Sequence, residues 1–153
     1  MRLHAIAILG LGCLVPALTV GTAGAQDDAA KKELKKLEGT WATVSIEAAG
    51  QKVTDEDKIK TRKLTTKGEK YTLKVGDETV QGTIEINPSK KPKTIDVKPD
   101  SGTNKGKTLL GIYELDGDSL KVCVAPPGKD RPTAFTTAAE NGHQLVVYKR
   151  EKP

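Results

Sequence analysis

Two side chains in the sequence have the chemistry of a nucleophile and its base. Cys123 lies in LKVCVAP, and His143 begins the last apolar segment, HQLVVYKRE. A cysteine becomes a nucleophile when a nearby imidazole takes its proton and a third group orients that imidazole. No acidic residue is marked as the third group, and an apolar, alternating stretch is typical of a small buried thiol. We therefore predict that the protein is not an enzyme.

The sequence contains no pattern for a metal ion or a nucleotide. One cysteine and one histidine beyond residue 25 are too few for a zinc site, and no spaced carboxylates form a calcium loop. SGTNKGKT, residues 101–108, nearly matches the phosphate-binding loop G-x-x-x-x-G-K-[ST]. However, Ser101 replaces the first glycine, and the segment leads into the strand-like TLLGIYEL rather than a helix. We predict a surface turn there, and no cofactor.

The most distinctive loop is APPGKDRPTAF, Ala125 to Phe135, in which three prolines surround a charged triplet. A rigid loop at the rim of a barrel can select a ligand or a partner, which makes Lys129, Asp130, Arg131 and Phe135 candidate interaction residues. The alternative is a stiff connector whose Phe135 packs on the core and whose Asp130 pairs locally. Both interpretations are open at this stage.

The first 25 residues have the features of an export signal. Arg2 provides a positive start, Ala5 to Leu18 form an uncharged and mostly apolar run, and Ala23-Gly24-Ala25 matches an A-x-A cleavage site. The run is too short and too interrupted by Pro16 for a membrane span. We predict cleavage after Ala25, a periplasmic or secreted location and no stable membrane span afterwards; an uncleaved anchor is the alternative.

Charge and cysteine content restrict what the exported chain can do. Removing residues 1–25 takes away Arg2 and no acidic residue, so the net charge falls from +5 to +4. The lysines are scattered and no aromatic residues lie among them, whereas nucleic-acid binding needs a concentrated basic face. Cys123 then has no partner for an internal disulfide. We predict no nucleic-acid partner; the expected partners are a small hydrophobic molecule or an envelope protein.

Hydrophobic periodicity divides the rest of the chain into a helix and a strand-rich domain. Residues 26–38 predict an amphipathic helix, with Ala30, Leu34 and Leu37 on one stripe and Gly39 at its end. Residues 39–153 predict a single β domain, with hairpin turns at Gly76-Asp77 and Asp116-Gly117. DEDKIKTRK is ambiguous and fits a helical turn. Sandwich and closed barrel both fit the spacing of the eight predicted strands. These are TWATVSIEA, RKLTT, EKYTLKV, ETVQGTIEI, TIDV, KTLLGIYEL, DSLKVCV and HQLVVYKRE.

The only tryptophan, Trp41, follows Gly39 and Thr40 at the start of the first strand. This GTW resembles the glycine-x-tryptophan motif of lipocalins and their calycin relatives. The resemblance implies that Trp41 packs at the closed end of the barrel under a basic residue near the end of the chain. Arg150 is preferred to Lys149 for this role because a guanidinium stacks better on an aromatic ring. Trp41 and Ile46 have opposite parity, so either a bulge changes the register or the tryptophan side faces a polar interior.

A wider resemblance covers about residues 37–151. LEGTW, GEKYTLK, INPSKKPKTIDVKP, GIYELDGDSLKVCVAPPGKDRP and LVVYKRE resemble a family of uncharacterised lipocalin-like exported domains found in planctomycete bacteria. The resemblance implies an envelope location but no reaction. The expected fold is all-β, a small eight-stranded antiparallel lipocalin-like barrel with a short N-terminal helix.

The interior of such a barrel is the remaining candidate site, because eight strands leave space for filling side chains or for one small ligand. The candidate ligand-binding residues are Tyr71, Leu73, Ile84, Leu110, Ile112, Val122 and Val147. We expect a non-catalytic exported protein that binds a small apolar ligand in the barrel. The alternative is an interaction or structural module of the envelope that acts through residues 125–135.

Overall fold

A computed structural model of the chain describes residues 23–153, which form strands and two helices. The predicted signal peptide falls largely on residues 1–22 and so lies outside the described residues. In chain order the elements are α1 Ala23–Leu37, β1 Gly39–Ala48, β2 Gln51–Lys52, α2 Glu56–Lys60, β3 Arg62–Lys67, β4 Lys70–Val75, β5 Glu78–Asn87, β6 Lys93–Pro99, β7 Leu109–Asp116, β8 Ser119–Val124 and β9 Gln144–Arg150.

Eight of the strands form one closed antiparallel barrel. Each strand from β3 to β8 pairs with the next along the chain, and β1 pairs with β3 on one side and β9 on the other. The short β2 is an extra strand that pairs with the end of β1. The prediction of an eight-stranded antiparallel barrel with an N-terminal helix is confirmed, and the sandwich alternative is wrong because the β1–β9 pairing closes the sheet.

Short local signals produce the predicted connections. The ambiguous segment forms α2, whose start is capped by the side chain of Asp55. The turn between β4 and β5 is Gly76-Asp77. The hairpin between β7 and β8 turns at Gly117-Asp118, since Asp116 already pairs with Ser119. The predicted hairpin is therefore confirmed, with its turn one residue further along the chain.

A β-bulge in β1 explains how Trp41 and Ile46 both reach the interior. The pairing of β1 with β9 shifts between Thr43 and Ser45, as expected for one extra residue in a strand. That residue, Val44, is 54% exposed, whereas Trp41 and Ile46 are buried on either side of the bulge. Of the two explanations that the sequence left open for the parity of Trp41, the bulge is the correct one.

Helix α1 lies across one end of the barrel, which we call the closed end. Its Leu34 and Leu37 are buried in the barrel core. The last carbonyls of a helix have no partners within the helix and need donors from elsewhere. The carbonyl of Leu37 accepts hydrogen bonds from Trp41 Nε1, at 2.9 Å, and from Thr66 Oγ1. Side chains of β1 and β3 therefore complete the end of the helix.

Arg150 at the end of β9 completes the same closure. Its guanidinium carbon lies 4.1 Å from the centroid of the Trp41 ring. The guanidinium donates hydrogen bonds to the carbonyls of Lys36 and Glu38, where a cation also complements the helix dipole. Gly39 has φ +130°, and a Cβ there would stand 3.0 Å from Nη1 of Arg150. The backbone conformation therefore favours glycine at this position, and a larger residue would also displace the guanidinium by a few tenths of an ångström.

The connection from residue 125 to residue 143 covers the outer face of the barrel over β6, β7 and β8.

The prediction that Leu110, Ile112 and Val147 face the interior is wrong: they alternate with the inward residues of β7 and β9 and do not line the barrel's cavity. Because the connection buries Ile112 from outside, β7 is apolar on both faces. Alternation alone could not identify its inner side.

Replacing Arg150 by lysine should destabilise the barrel by about 2–4 kcal/mol, because lysine cannot reproduce the hydrogen bonds of the guanidinium to two helix carbonyls. Urea unfolding followed by the fluorescence of Trp41 measures the change. The matched control is Lys149→Ala, since Lys149 is exposed on the outer face and should change stability by less than about 0.5 kcal/mol. Equal effects of the two substitutions would contradict the role of Arg150.

Candidate functional site

The barrel encloses a cavity of about 300 Å³. It extends from Leu37 at the closed end to residues 101–104, in the connection between β6 and β7, at the opposite end. We call this opposite end the mouth. Pockets for small ligands typically measure ~300–1,000 Å³, so the cavity has room for one small molecule.

Aliphatic side chains form most of the cavity wall. The register places inward residues of neighbouring strands side by side, with Leu64 opposite Leu73 and Leu73 opposite Val80. Burying apolar surface is favourable by ~25 cal/mol per Å², so such a wall favours an apolar ligand. The aliphatic wall residues are Leu37, Leu64, Leu73, Val80, Ile84, Ile95, Val97, Leu109, Leu120, Val122, Val124 and Val146.

Three tyrosines, Tyr71, Tyr113 and Tyr148, add hydroxyl groups to this wall. Burial, together with the charges of Asp100 and Tyr148, raises the pKa of Tyr71 to about 12. Burial and the carboxylate of Glu33 raise the pKa of Tyr113 well above its ordinary value. Tyr113 is 1% exposed, and its hydroxyl has no hydrogen-bond partner among residues 23–153. Its hydroxyl is therefore a buried polar group that no described residue satisfies.

Polar side chains surround the mouth of the cavity. Arg62 and Glu78 come from the first residues of β3 and β5, and Gln144 from the first residue of β9. Nη2 of Arg62 lies 3.5 Å from Oε1 of Gln144, a long hydrogen bond. Nε of Arg62 is buried and has no hydrogen-bond partner within the described part of the chain. The mouth can therefore bind a polar group at the end of an apolar ligand.

The structure brings four of the predicted ligand-binding residues into the wall: Tyr71, Leu73, Ile84 and Val122. Sequence reasoning missed Arg62, Tyr113 and Tyr148. A signal for Tyr148 was present, because a residue two positions before Arg150 shares its inward face. No comparable signal marked Arg62, which begins a strand after a helical turn.

The structure does not bring Cys123 to the cavity. Cys123 is buried on the outer face beneath the 125–143 connection, and its Sγ lies 3.9 Å from the carbonyl oxygen of Thr136. Burial raises the pKa of the Cys123 thiol, and only the thiolate is strongly nucleophilic. Nδ1 of His143 is buried without a hydrogen-bond partner among the described residues, so no hydrogen bond joins it to Cys123.

The four candidate residues of the 125–135 loop have different environments. Lys129 and Asp130 are exposed beside a turn in which Lys129 N–H donates to the carbonyl of Pro126 at 3.1 Å. Arg131 instead anchors the loop: Nη1 donates to the carbonyls of two barrel residues, at 3.2 and 2.8 Å, and Nη2 lies 2.7 Å from Asp96. Phe135 is half-buried, with Nζ of Lys121 5.3 Å from its ring centroid.

Comparison of the chain with models of protein families, with curated proteins and with solved structures finds no match. The function must therefore be inferred from the residues of the barrel. Within residues 23–153, no helix is both long enough and apolar enough to cross a membrane. The same residues contain no group of three His, Cys, Asp or Glu side chains arranged to hold a metal ion.

The raised pKa of Tyr71 predicts how stability depends on alkaline pH. Ionisation is easier in the unfolded chain, at a pKa near 10.0, than in the barrel, at about 12. The contribution of Tyr71 is fully present below pH 10 and is lost as pH rises towards 12. The free energy of unfolding of Tyr71→Phe should therefore fall less over this interval than that of the unsubstituted protein. Urea unfolding at several pH values measures both slopes, and identical slopes would refute the prediction.

Proposed function

We propose that the protein is an exported, lipocalin-like carrier that binds one small apolar molecule in its barrel and catalyses no reaction. The observation that carries this proposal is the cavity of about 300 Å³, which has an aliphatic wall, a closed end and a polar mouth. Pockets of this kind bind ligands through apolar contact and a few convergent polar groups. One fold can serve many functions, and it is the aliphatic wall of this barrel that favours an apolar ligand.

The barrel end supports the lipocalin-like part of the proposal. The arrangement of Gly39, Trp41 and Arg150 matches what the sequence resemblance implies, with the guanidinium over the indole ring. Cation–π contacts of this kind contribute about 0.5–2 kcal/mol. The closure has a functional consequence, because it leaves the mouth as the entry for a ligand.

Two further observations support a non-catalytic, exported carrier. Cys123, the strongest nucleophile by residue type, is buried outside the cavity with a raised pKa. Export is supported by the apolar run from Ala5 to Leu18 and by the small residues that end at Ala25.

Native mass spectrometry of the protein purified gently from its own cell envelope tests the carrier directly. We expect an added mass that disappears on denaturation, and uptake of a fluorescent apolar probe by the emptied protein. A bare protein mass together with no uptake of the probe would overturn the proposal.

A matched pair of valines tests whether the cavity is the binding site. Val122 lines the cavity, whereas Val147, on the neighbouring strand β9, faces outward. We expect Val122→Phe to fill the cavity and weaken probe binding about tenfold or more, because the lost space excludes the ligand. Val147→Phe should bind the probe as the unsubstituted protein does. Circular dichroism of both variants controls for folding, and equal affinities would place the ligand elsewhere.

A second candidate function is protein interaction through the 125–135 loop. The observation that favours it is the exposed pair Lys129 and Asp130, held in a defined position by the anchoring of Arg131 to the barrel. Gly128 at φ +78° follows Pro127, as a type II turn requires, so the exposed pair adjoins a rigid turn.

The Lys129→Ala/Asp130→Ala double variant tests this second function. We expect it to lose any envelope protein that the unsubstituted protein captures from detergent extract, since both exposed charges of the loop are removed. The double variant Asp28→Ala/Lys31→Ala removes the same pair of charges from exposed positions of α1 and should capture that protein normally. Unchanged capture by the loop variant would exclude this surface.

A further inference from the structure

The mouth of the cavity holds a positive charge, that of Arg62, that forms no ion pair with another described residue. Arg62 has no carboxylate oxygen within 4.0 Å of its guanidinium among residues 23–153, and its only side-chain hydrogen bond is the long one to Gln144. Glu78 shares the rim but is exposed to solvent and does not pair with Arg62. A partly buried cation with a free, buried Nε is costly unless a ligand or partner satisfies it.

Unlike Arg62, the charged side chains of Glu33 and Arg150 at the closed end have partners within the protein. Glu33, a residue of α1, is buried, and its carboxylate pairs with Lys93 at 2.5 Å and with Lys36 at 3.2 Å. Burial acts to raise the pKa of Glu33, but the two ammonium groups hold it below its ordinary value. The guanidinium of Arg150 is likewise satisfied by helix carbonyls and lies 3.3 Å from Asp118. The mouth is therefore where an anionic group of a ligand gains most.

We infer that the ligand is a monocarboxylic acid with a single apolar chain, and that its carboxylate binds the guanidinium of Arg62 while its chain occupies the aliphatic cavity. This inference rests on the proposed carrier function. A guanidinium presents its donors as a planar fork that matches the two oxygens of a carboxylate. The amide of Gln144, beside the guanidinium, can donate to the same group.

The size of the cavity agrees with this class of ligand. A volume of about 300 Å³ is at the lower end of ligand pockets, which favours one chain over a lipid with two chains. The charged head remains at the mouth, where it keeps part of its hydration, so the ligand avoids the cost of burying a charge among aliphatic side chains. The apolar chain then extends towards Leu37 at the closed end.

The experiment compares decanoic acid with decanol, two ligands with the same chain and different heads, by isothermal titration calorimetry. A hydrogen-bonded charge pair should make the acid bind the unsubstituted protein about 10–100-fold more tightly than the alcohol. In Arg62→Gln this preference should fall to less than about twofold, since the charge pair is lost, while the alcohol binds as before.

A matched control separates a specific contact from general attraction. Lys63 neighbours Arg62 in sequence but pairs with Glu151 on the outer face, so Lys63→Gln removes the same charge without touching the cavity and should leave the preference for the acid intact. Binding of neither ligand to the unsubstituted protein would overturn both this inference and the carrier function. Equal binding of the two ligands would overturn the inference alone. A preference that survives in Arg62→Gln would exclude Arg62 as its source.

Discussion

The end of helix α1 is the constraint on which the rest of the structure depends. Three successive carbonyls, of residues 36, 37 and 38, lack partners in the helix and receive donors from three strands. Trp41 from β1, Thr66 from β3 and Arg150 from β9 each provide a side chain. These donors converge because β9 and β1 lie side by side, with Arg150 opposite Trp41. The side chains that satisfy the helix end therefore come from the strands whose pairing closes the barrel.

This closure determines which end of the barrel the cavity opens towards. The indole ring, the guanidinium and the leucines of α1 cover the closed end, and the cavity runs from Leu37 to the mouth at the opposite end. The chain has five aromatic residues in 153, and the middle of the barrel is therefore packed mainly by aliphatic side chains.

The 125–143 connection gives the barrel a second apolar surface on its outside. Ile112 and Cys123 are buried there rather than in the barrel core. Arg131, one of the predicted interaction residues, fastens the connection by donating to sheet carbonyls on β6 and β7. The exposed charged residues of the loop, Lys129 and Asp130, lie beside its turn.

The sequence by itself predicted the positions of the strands, the hairpins and the apolar stripe of α1, because each of these depends on local periodicity or on a short motif. The pairing of Trp41 with a basic residue was implied by the resemblance that the GTW motif carries. Only the tertiary structure decided which side of β7 and β9 faces inward. The bulge at Val44 reverses the parity of β1, and the outer connection makes both faces of β7 apolar. The alternation of apolar and polar residues therefore does not identify the inner face of those strands. Arg62 likewise became a candidate ligand-binding residue only when barrel closure brought the start of β3 near Gln144 on β9, a contact between residues 82 positions apart in the chain.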